Sequence, residues 1–122
     1  MPGRVLVVED EVLIRMLAVD MLDDLGFSAD EAGTAAEALQ KLRAKGAKYV
    51  FIFLDIGLPD KRGDDLIKEV RGFNPGIPLL IASGEAKADL KARLDDFAPI
   101  GYLGKPYDQN KLSAALAALK VK

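Results

Sequence analysis

The chain contains no cysteine, no histidine and no tryptophan in 122 residues. Without cysteine there is neither a disulfide framework nor thiolate metal ligation, which fits a reducing compartment. Without histidine the commonest general base and metal ligand is missing, so any phosphohistidine in its chemistry must be carried by another molecule. An excess of positive charge is also missing: 17 Lys and Arg stand against 19 Asp and Glu. That balance predicts no direct nucleic-acid partner. No apolar stretch approaches the roughly 20 residues that span a bilayer, and Met1-Pro2-Gly3-Arg4 leads straight into a strand-like run. The expectation is a soluble, unprocessed cytoplasmic chain with no membrane insertion. What is present is globular composition, half apolar and 30 % charged, at a length that suits one domain over 1–122.

Short apolar runs at Arg4–Val8, Tyr49–Leu54, Pro78–Ala82 and Gly101–Leu103 are bounded by polar or turn residues, as strands covered on both faces are. Phe27–Ala32 is a weaker run that suits a sheet edge. Helical patterns lie between them. Ile14, Leu17, Ala18, Met21, Leu22 and Leu25 recur at helical spacing, and Gly26 follows as a stop. Thr34-Ala35-Ala36-Glu37 is a capping-box pattern opening a helix with Ala35, Ala38, Leu39 and Leu42 on its apolar face. Leu66, Ile67 and Val70 mark a third helix, Leu90 and Leu94 a fourth. Leu112, Ala115, Leu116 and Leu119 mark a fifth, started by Asp108. Five strand-then-helix repeats predict an α/β fold, a doubly wound parallel sheet with right-handed crossovers. The economical order is the flavodoxin-like 2-1-3-4-5, with its ligand site beyond the carboxyl ends of strands 1 and 3.

Chemistry-bearing residues fall at those ends. Glu9 and Asp10 follow strand 1, Asp55 follows strand 3, Ser83 follows strand 4 and Lys105 follows strand 5. Two like charges 4 Å apart repel by about 4 kcal/mol at an effective dielectric near 20, so the acidic cluster implies a cation. Magnesium takes oxygen ligands and keeps several waters. Asp10, Asp55 and the backbone carbonyl of Gly57 suffice as ligands, with Glu9 reaching the ion through water. A carboxylate beside such an ion is also a nucleophile toward phosphorus, which makes Asp55 the candidate nucleophile and Lys105 the clamp on the phosphoryl oxygens. Ser83 offers a hydroxyl to a phosphoryl oxygen. Lys105-Pro106 is a candidate cis peptide that aims the lysine.

With these motifs in order, the chain resembles the receiver domain of two-component response regulators, the CheY-like superfamily, over essentially its whole length. The residues that carry the resemblance are Glu9-Asp10, the segment Leu54-Asp55-Ile56-Gly57-Leu58-Pro59 followed by Gly63, Ser83-Gly84, and Tyr102-Leu103-Gly104-Lys105-Pro106. The resemblance implies that Asp55 accepts a phosphoryl group, with Mg2+, from a phosphohistidine on a sensor histidine kinase or histidine phosphotransfer protein. It implies further that Ser83 shifts toward that group and Tyr102 turns inward, remodelling the surface of the fourth helix, fifth strand and fifth helix for a downstream protein. Such a domain acts as a phosphoacceptor switch by population shift rather than as an enzyme turning over a substrate. It occurs as a single-domain regulator or within a larger protein such as a hybrid kinase. Gly57 and Glu85 depart from common patterns beside the acceptor, which leaves the phosphoryl lifetime open.

Each feature has an ordinary alternative. Acids after a strand often cap the next helix, an Asp before a proline is a common turn, and a strand tyrosine is commonly a half-buried packing residue. Phe97, Pro99 and Ile100 suit either a partner patch or core. Among rival functions, a Mg-dependent phospho-aspartate phosphohydrolase needs a second acid where Gly57 stands. A flavin carrier needs a phosphate loop where Glu9-Asp10-Glu11 would repel phosphate. A phosphorylation-independent receiver-like interaction module would ordinarily lack one of the acceptor, acid or lysine, and none is missing.

Overall fold

A computed structural model describes residues 3–44 and 48–121; Met1, Pro2 and Lys122 lie outside it. The elements run β1 (Gly3–Val8), α1 (Val12–Asp24), β2 (Phe27–Ala32), α2 (Ala35–Arg43), β3 (Tyr49–Asp55), α3 (Gly63–Phe73), β4 (Leu79–Ser83), α4 (Lys87–Leu94), a 3-10 turn at Asp95–Phe97, β5 (Ile100–Gly104) and α5 (Gln109–Leu119). The strands pair in parallel in the order β2-β1-β3-β4-β5. This is the doubly wound flavodoxin-like arrangement expected from the strand-helix alternation, with β2 at an edge.

Alternation of side chains along each strand builds two cores. Leu6, Val8, Ile52, Leu54, Leu79 and Ile81 face α2, α3 and α4. Val5, Val7, Phe51, Phe53, Leu80 and Ala82 face α1 and α5. The second core includes Phe27 edge-on to Phe51 at 5.2 Å. Both faces of the central strands are therefore buried, which is why their sequences are continuous apolar runs.

Helix ends follow the local sequence. Thr34 Oγ1 accepts from Glu37 N–H at 3.1 Å, while Glu37 reaches back to Gly33 N–H at 2.7 Å. Asp108 caps α5 by accepting from Lys111 N–H at 2.8 Å. Gly26 has a φ of 95° just after α1, a left-handed conformation that glycine adopts without a Cβ clash. Strand limits move by a residue or two: β4 starts at Leu79, since Pro78 has no N–H to give the ladder, and β5 is longer than its apolar run.

The apolar stripe of α1 needs a correction. Ala18 and Leu22 are buried, but Leu17 is exposed, as are Val12, Leu13 and Met16, with Leu13 74 % exposed. The helix thus carries more apolar surface than the sheet covers. Phe97 and Ile100 pack against the α2–α3–α4 core, so these two are core rather than patch. Arg71 ties that corner together, donating to the carbonyls of Asn74, Ile77, Phe97 and Pro99 at 2.7 to 3.1 Å. Burial lowers its pKa.

Candidate functional site

The parallel register brings the carboxyl ends of β1, β3, β4 and β5 to one edge. Val8 lies beside Leu54, Asp55 beside Ala82, and Ser83 beside Gly104. The next residues along these strands therefore converge. Carboxylate oxygens of Glu9, Asp10 and Asp55 all lie within 4.8 Å of one another. Lys105 Nζ sits 2.9 Å from Asp55 Oδ1 and 3.8 Å from Glu9 Oε1. The peptide before Pro106 is cis, as is that before Pro99.

Glu9 is 1 % exposed and Asp55 6 %, so their charges are poorly hydrated. Glu9 Oε2 accepts from Glu11 N–H at 3.1 Å. Its backbone is held by Ala32, whose carbonyl takes the Glu9 N–H at 3.0 Å, and by Arg15, which donates to the Glu9 carbonyl at 2.8 Å. Burial pushes the Glu9 carboxyl up to about 7, with the Glu11 N–H opposing and the Asp55 charge adding to the rise. Burial works against the Lys105 ammonium, yet the bond to Asp55 and the charges of Asp55, Glu9 and Glu11 leave its pKa raised. An all-oxygen set this crowded, with one side chain driven toward its protonated form, suits a hard divalent cation.

The loop after Asp55 is held by contacts of two kinds. Gly63 N–H donates to the Ile56 carbonyl at 3.0 Å, and a Cβ on Gly63 would lie 2.7 Å from the Ile56 backbone. Further along, the Asp60 carboxylate accepts the N–H groups of Ala35 and Ala36 at 2.8 and 3.0 Å, fastening the loop to the N-terminus of α2. Gly57 stands in the exposed part of this loop with open space where a side chain would be.

Ser83 is 3 % exposed. Its Oγ accepts from Glu85 N–H at 3.0 Å, and its carbonyl accepts from Lys105 N–H at 2.9 Å, joining the ends of β4 and β5. Tyr102 is not in the acidic cluster. It pairs with Ile81 in mid-strand, and its hydroxyl donates to Asp95 Oδ1 at 2.9 Å. Burial, then Asp95, raises its pKa. The structure thus gathers Glu9, Asp10, Asp55 and Lys105, sets Ser83 at the adjoining strand end, and ties Tyr102 to the 3-10 turn.

Several residues here escaped the sequence reading. Tyr107 stacks edge-on to Phe53 at 5.8 Å and is pushed up to about 12 by burial, with the charges of Glu9 and Asp55 contributing. It lines a groove of about 430 Å³ with Ile14, Leu17, Met21, Lys105 and Pro106, beside the exposed apolar face of α1. Asp60 acts on partners 25 and 24 residues away, and Arg15 also reaches Glu31, 16 residues away; such spacings leave no local signature.

A family model for the response regulator receiver domain matches residues 5–117. The chain belongs to this family. The receiver is 34 % identical over 116 residues to the transcriptional regulatory protein PmrA of Pectobacterium parmentieri, covering 95 % of this chain and 51 % of that protein. It is 31 % identical over 114 residues to the sensor kinase CckA of Brucella abortus, covering 93 % of this chain and 12 % of that one. It therefore spans about half or less of the length of these two relatives. The solved structure of the chemotaxis response regulator CheY4 of Vibrio cholerae is 28 % identical with a TM-score of 0.86, covering 96 % of this receiver and 98 % of that chain. Receiver domains are signalling switches, and an acidic pocket at the carboxyl edge of the sheet is where such a domain holds its cation. Among the described residues no helix is long and apolar enough to cross a membrane.

Proposed function

We propose that this chain, as one receiver domain over 1–122, takes a phosphoryl group onto Asp55 from a phosphohistidine of a sensor histidine kinase or histidine phosphotransfer protein. The observation that carries this reading is the contact of Lys105 with Asp55 at 2.9 Å inside a cluster of three carboxylates. A buried carboxylate with one cation on it and two more acids around it is suited to a phosphate ligand and a divalent ion together.

Asp10, Asp55 and the Gly57 carbonyl would hold Mg2+, with Glu9 acting through water. When bound, the ion supplies neutralisation of the charge on the phosphoryl oxygens. Asp55 attacks phosphorus with a carboxylate oxygen; a P–O bond forms, the P–N bond breaks, and the departing imidazole keeps the electron pair and takes a proton. Lys105 is drawn from the Asp55 carboxylate to the transferred group, and the Ser83 hydroxyl donates to one of its oxygens. Tyr102 then exchanges its Asp95 partner for the space Ser83 leaves, and the α4–β5–α5 face changes its contacts with a downstream protein. The partner is a protein rather than nucleic acid, and the switching takes place in the cytoplasm without turnover of a small substrate. The apolar side chains of Val12, Leu13, Met16 and Leu17 flank the acidic edge and favour a protein donor over a small molecule. With acceptor, acids and lysine standing together, no observation favours the phosphorylation-independent module.

The test is calorimetry with beryllofluoride, a phosphoryl mimic, on the wild type and Asp55→Ala. Binding that requires Mg2+ and disappears in the variant is the expected result. Mg2+ binding with no mimic binding in the wild type would overturn the reading.

A further inference from the structure

Ser83 ends β4, and α4 beyond it buries Leu90 and Leu94 in the core but has no side-chain cap at its start. Ala86 occupies the N-cap position of α4 and offers no side-chain oxygen. A polar tie comes instead from Arg93, near the other end of the same helix. Its Nε donates to Asp64 Oδ2 at 2.8 Å and its Nη1 to Glu85 Oε1 at 2.8 Å. The remaining nitrogen completes both forks, at 3.3 Å to Asp64 Oδ1 and 3.4 Å to Glu85 Oε2. Asp64 is in the first turn of α3, the helix entered directly from the acceptor loop. Glu85 is the residue whose N–H holds Ser83 Oγ at 3.0 Å. One planar guanidinium thus joins α3 to the loop that positions Ser83, through two forked carboxylate contacts. On the opposite flank Asp95, in the turn after α4, holds the hydroxyl of Tyr102 at 2.9 Å.

We propose that Arg93 is a positioning residue that latches Glu85, and with it the Ser83 loop, in the resting arrangement, so that it holds back the phosphoryl-bound one. The proposal rests on the phosphoacceptor reading of Asp55 given above. Movement of Ser83 toward a phosphoryl group draws residues 84–86 with it and stretches the Arg93–Glu85 fork. The latch therefore adds to the resting side of a two-state equilibrium, and its loss raises the fraction of molecules competent to bind the phosphoryl mimic.

The sign of the effect separates this role from simple electrostatics. Arg93 is a cation, and removing it also uncovers the charges of Asp64 and Glu85. Coulomb's law alone makes Arg93→Gln weaken the binding of an anionic mimic. The latch requires the opposite.

Beryllofluoride is titrated calorimetrically, with Mg2+, into the full chain as wild type, Arg93→Gln, Glu85→Gln and the double variant. Arg93→Gln is expected to bind about 1.5- to fivefold tighter, the range for loss of a partly exposed pair. The double variant is expected to bind no tighter than Glu85→Gln alone, because both changes open one latch. Amide hydrogen exchange without the mimic is expected to quicken over residues 84–89 in both single variants, which keeps the proposal testable if Arg93→Gln fails to fold. Unchanged or weaker mimic binding by a folded Arg93→Gln, or unchanged exchange in Glu85→Gln, would overturn the latch alone. A wild type that does not bind the mimic overturns the phosphoacceptor reading and the latch with it.

Discussion

In the proposed function Lys105 meets two ligands with opposite needs. Its ammonium lies on Asp55 at 2.9 Å and near Glu9 at 3.8 Å, so it repels a divalent cation while attracting a phosphoryl oxygen. Lys105→Gln is accordingly expected to tighten Mg2+ binding by about two- to tenfold and to weaken beryllofluoride binding by about tenfold or more. Paired titrations check this; a change of the same sign for both ligands contradicts the assigned role. Gly63 is fixed by space, since a Cβ would lie 2.7 Å from the Ile56 backbone. Gly63→Ala is expected to destabilise by about 1–3 kcal/mol and to displace the acceptor loop, measured by urea unfolding. The meeting of Glu9, Asp10, Asp55 and Lys105 was legible in sequence because each follows an apolar run, and strand ends announce themselves locally. Asp60 and Arg93 were not legible. Asp60 meets residues 24 and 25 positions away, and Arg93 reaches Asp64 across 29, separations over which periodicity carries no information.

Among the elements, α1 shows how far a hydrophobic stripe can mislead. The spacing placed the helix and its Gly26 stop, but it treated Leu17 as core alongside Leu22. One is exposed and the other fully buried. A stripe wider than the contact with the sheet leaves a surplus, and on α1 that surplus borders the acidic edge. Leu22→Ala is expected to cost about 2–5 kcal/mol as a cavity forms, whereas Leu13→Ser is expected to stay within about 0.5 kcal/mol. Thermal or urea unfolding measures both. Leu13→Ser is also expected to slow phosphoryl uptake from a protein donor while leaving uptake from a small acyl phosphate unchanged; equal slowing with both donors contradicts the docking role of this face. The 3-10 turn at Asp95–Phe97 left no trace in the sequence reading, since a three-residue turn has no period to detect.

For the molecule as a whole, the alternation of strands and helices was enough to give the sheet order, because right-handed crossovers leave few ways to wind five such repeats. The same winding gathers residues from four strand ends at one edge, so the position of the site follows from topology and its chemistry from a handful of side chains. Polar contacts between distant elements add an acid sensitivity. Arg93 holds the Asp64 carboxyl below its ordinary value, and the N–H groups of Ala35 and Ala36 do so for Asp60. A carboxyl depressed in the folded state contributes stability that is present above its unfolded pKa of about 4 and is lost as pH falls through the folded value. Urea midpoints are expected to drop below about pH 4, and a midpoint unchanged or rising from there to pH 3 contradicts this.

The most direct test of the account is the intact mass of the chain after incubation with Mg2+ and a small acyl phosphate, for the wild type and Asp55→Ala. The account predicts one added phosphoryl group on the wild type, none without Mg2+, and none on the variant. A wild type that gains no mass, or an Asp55→Ala chain that gains as much, contradicts it.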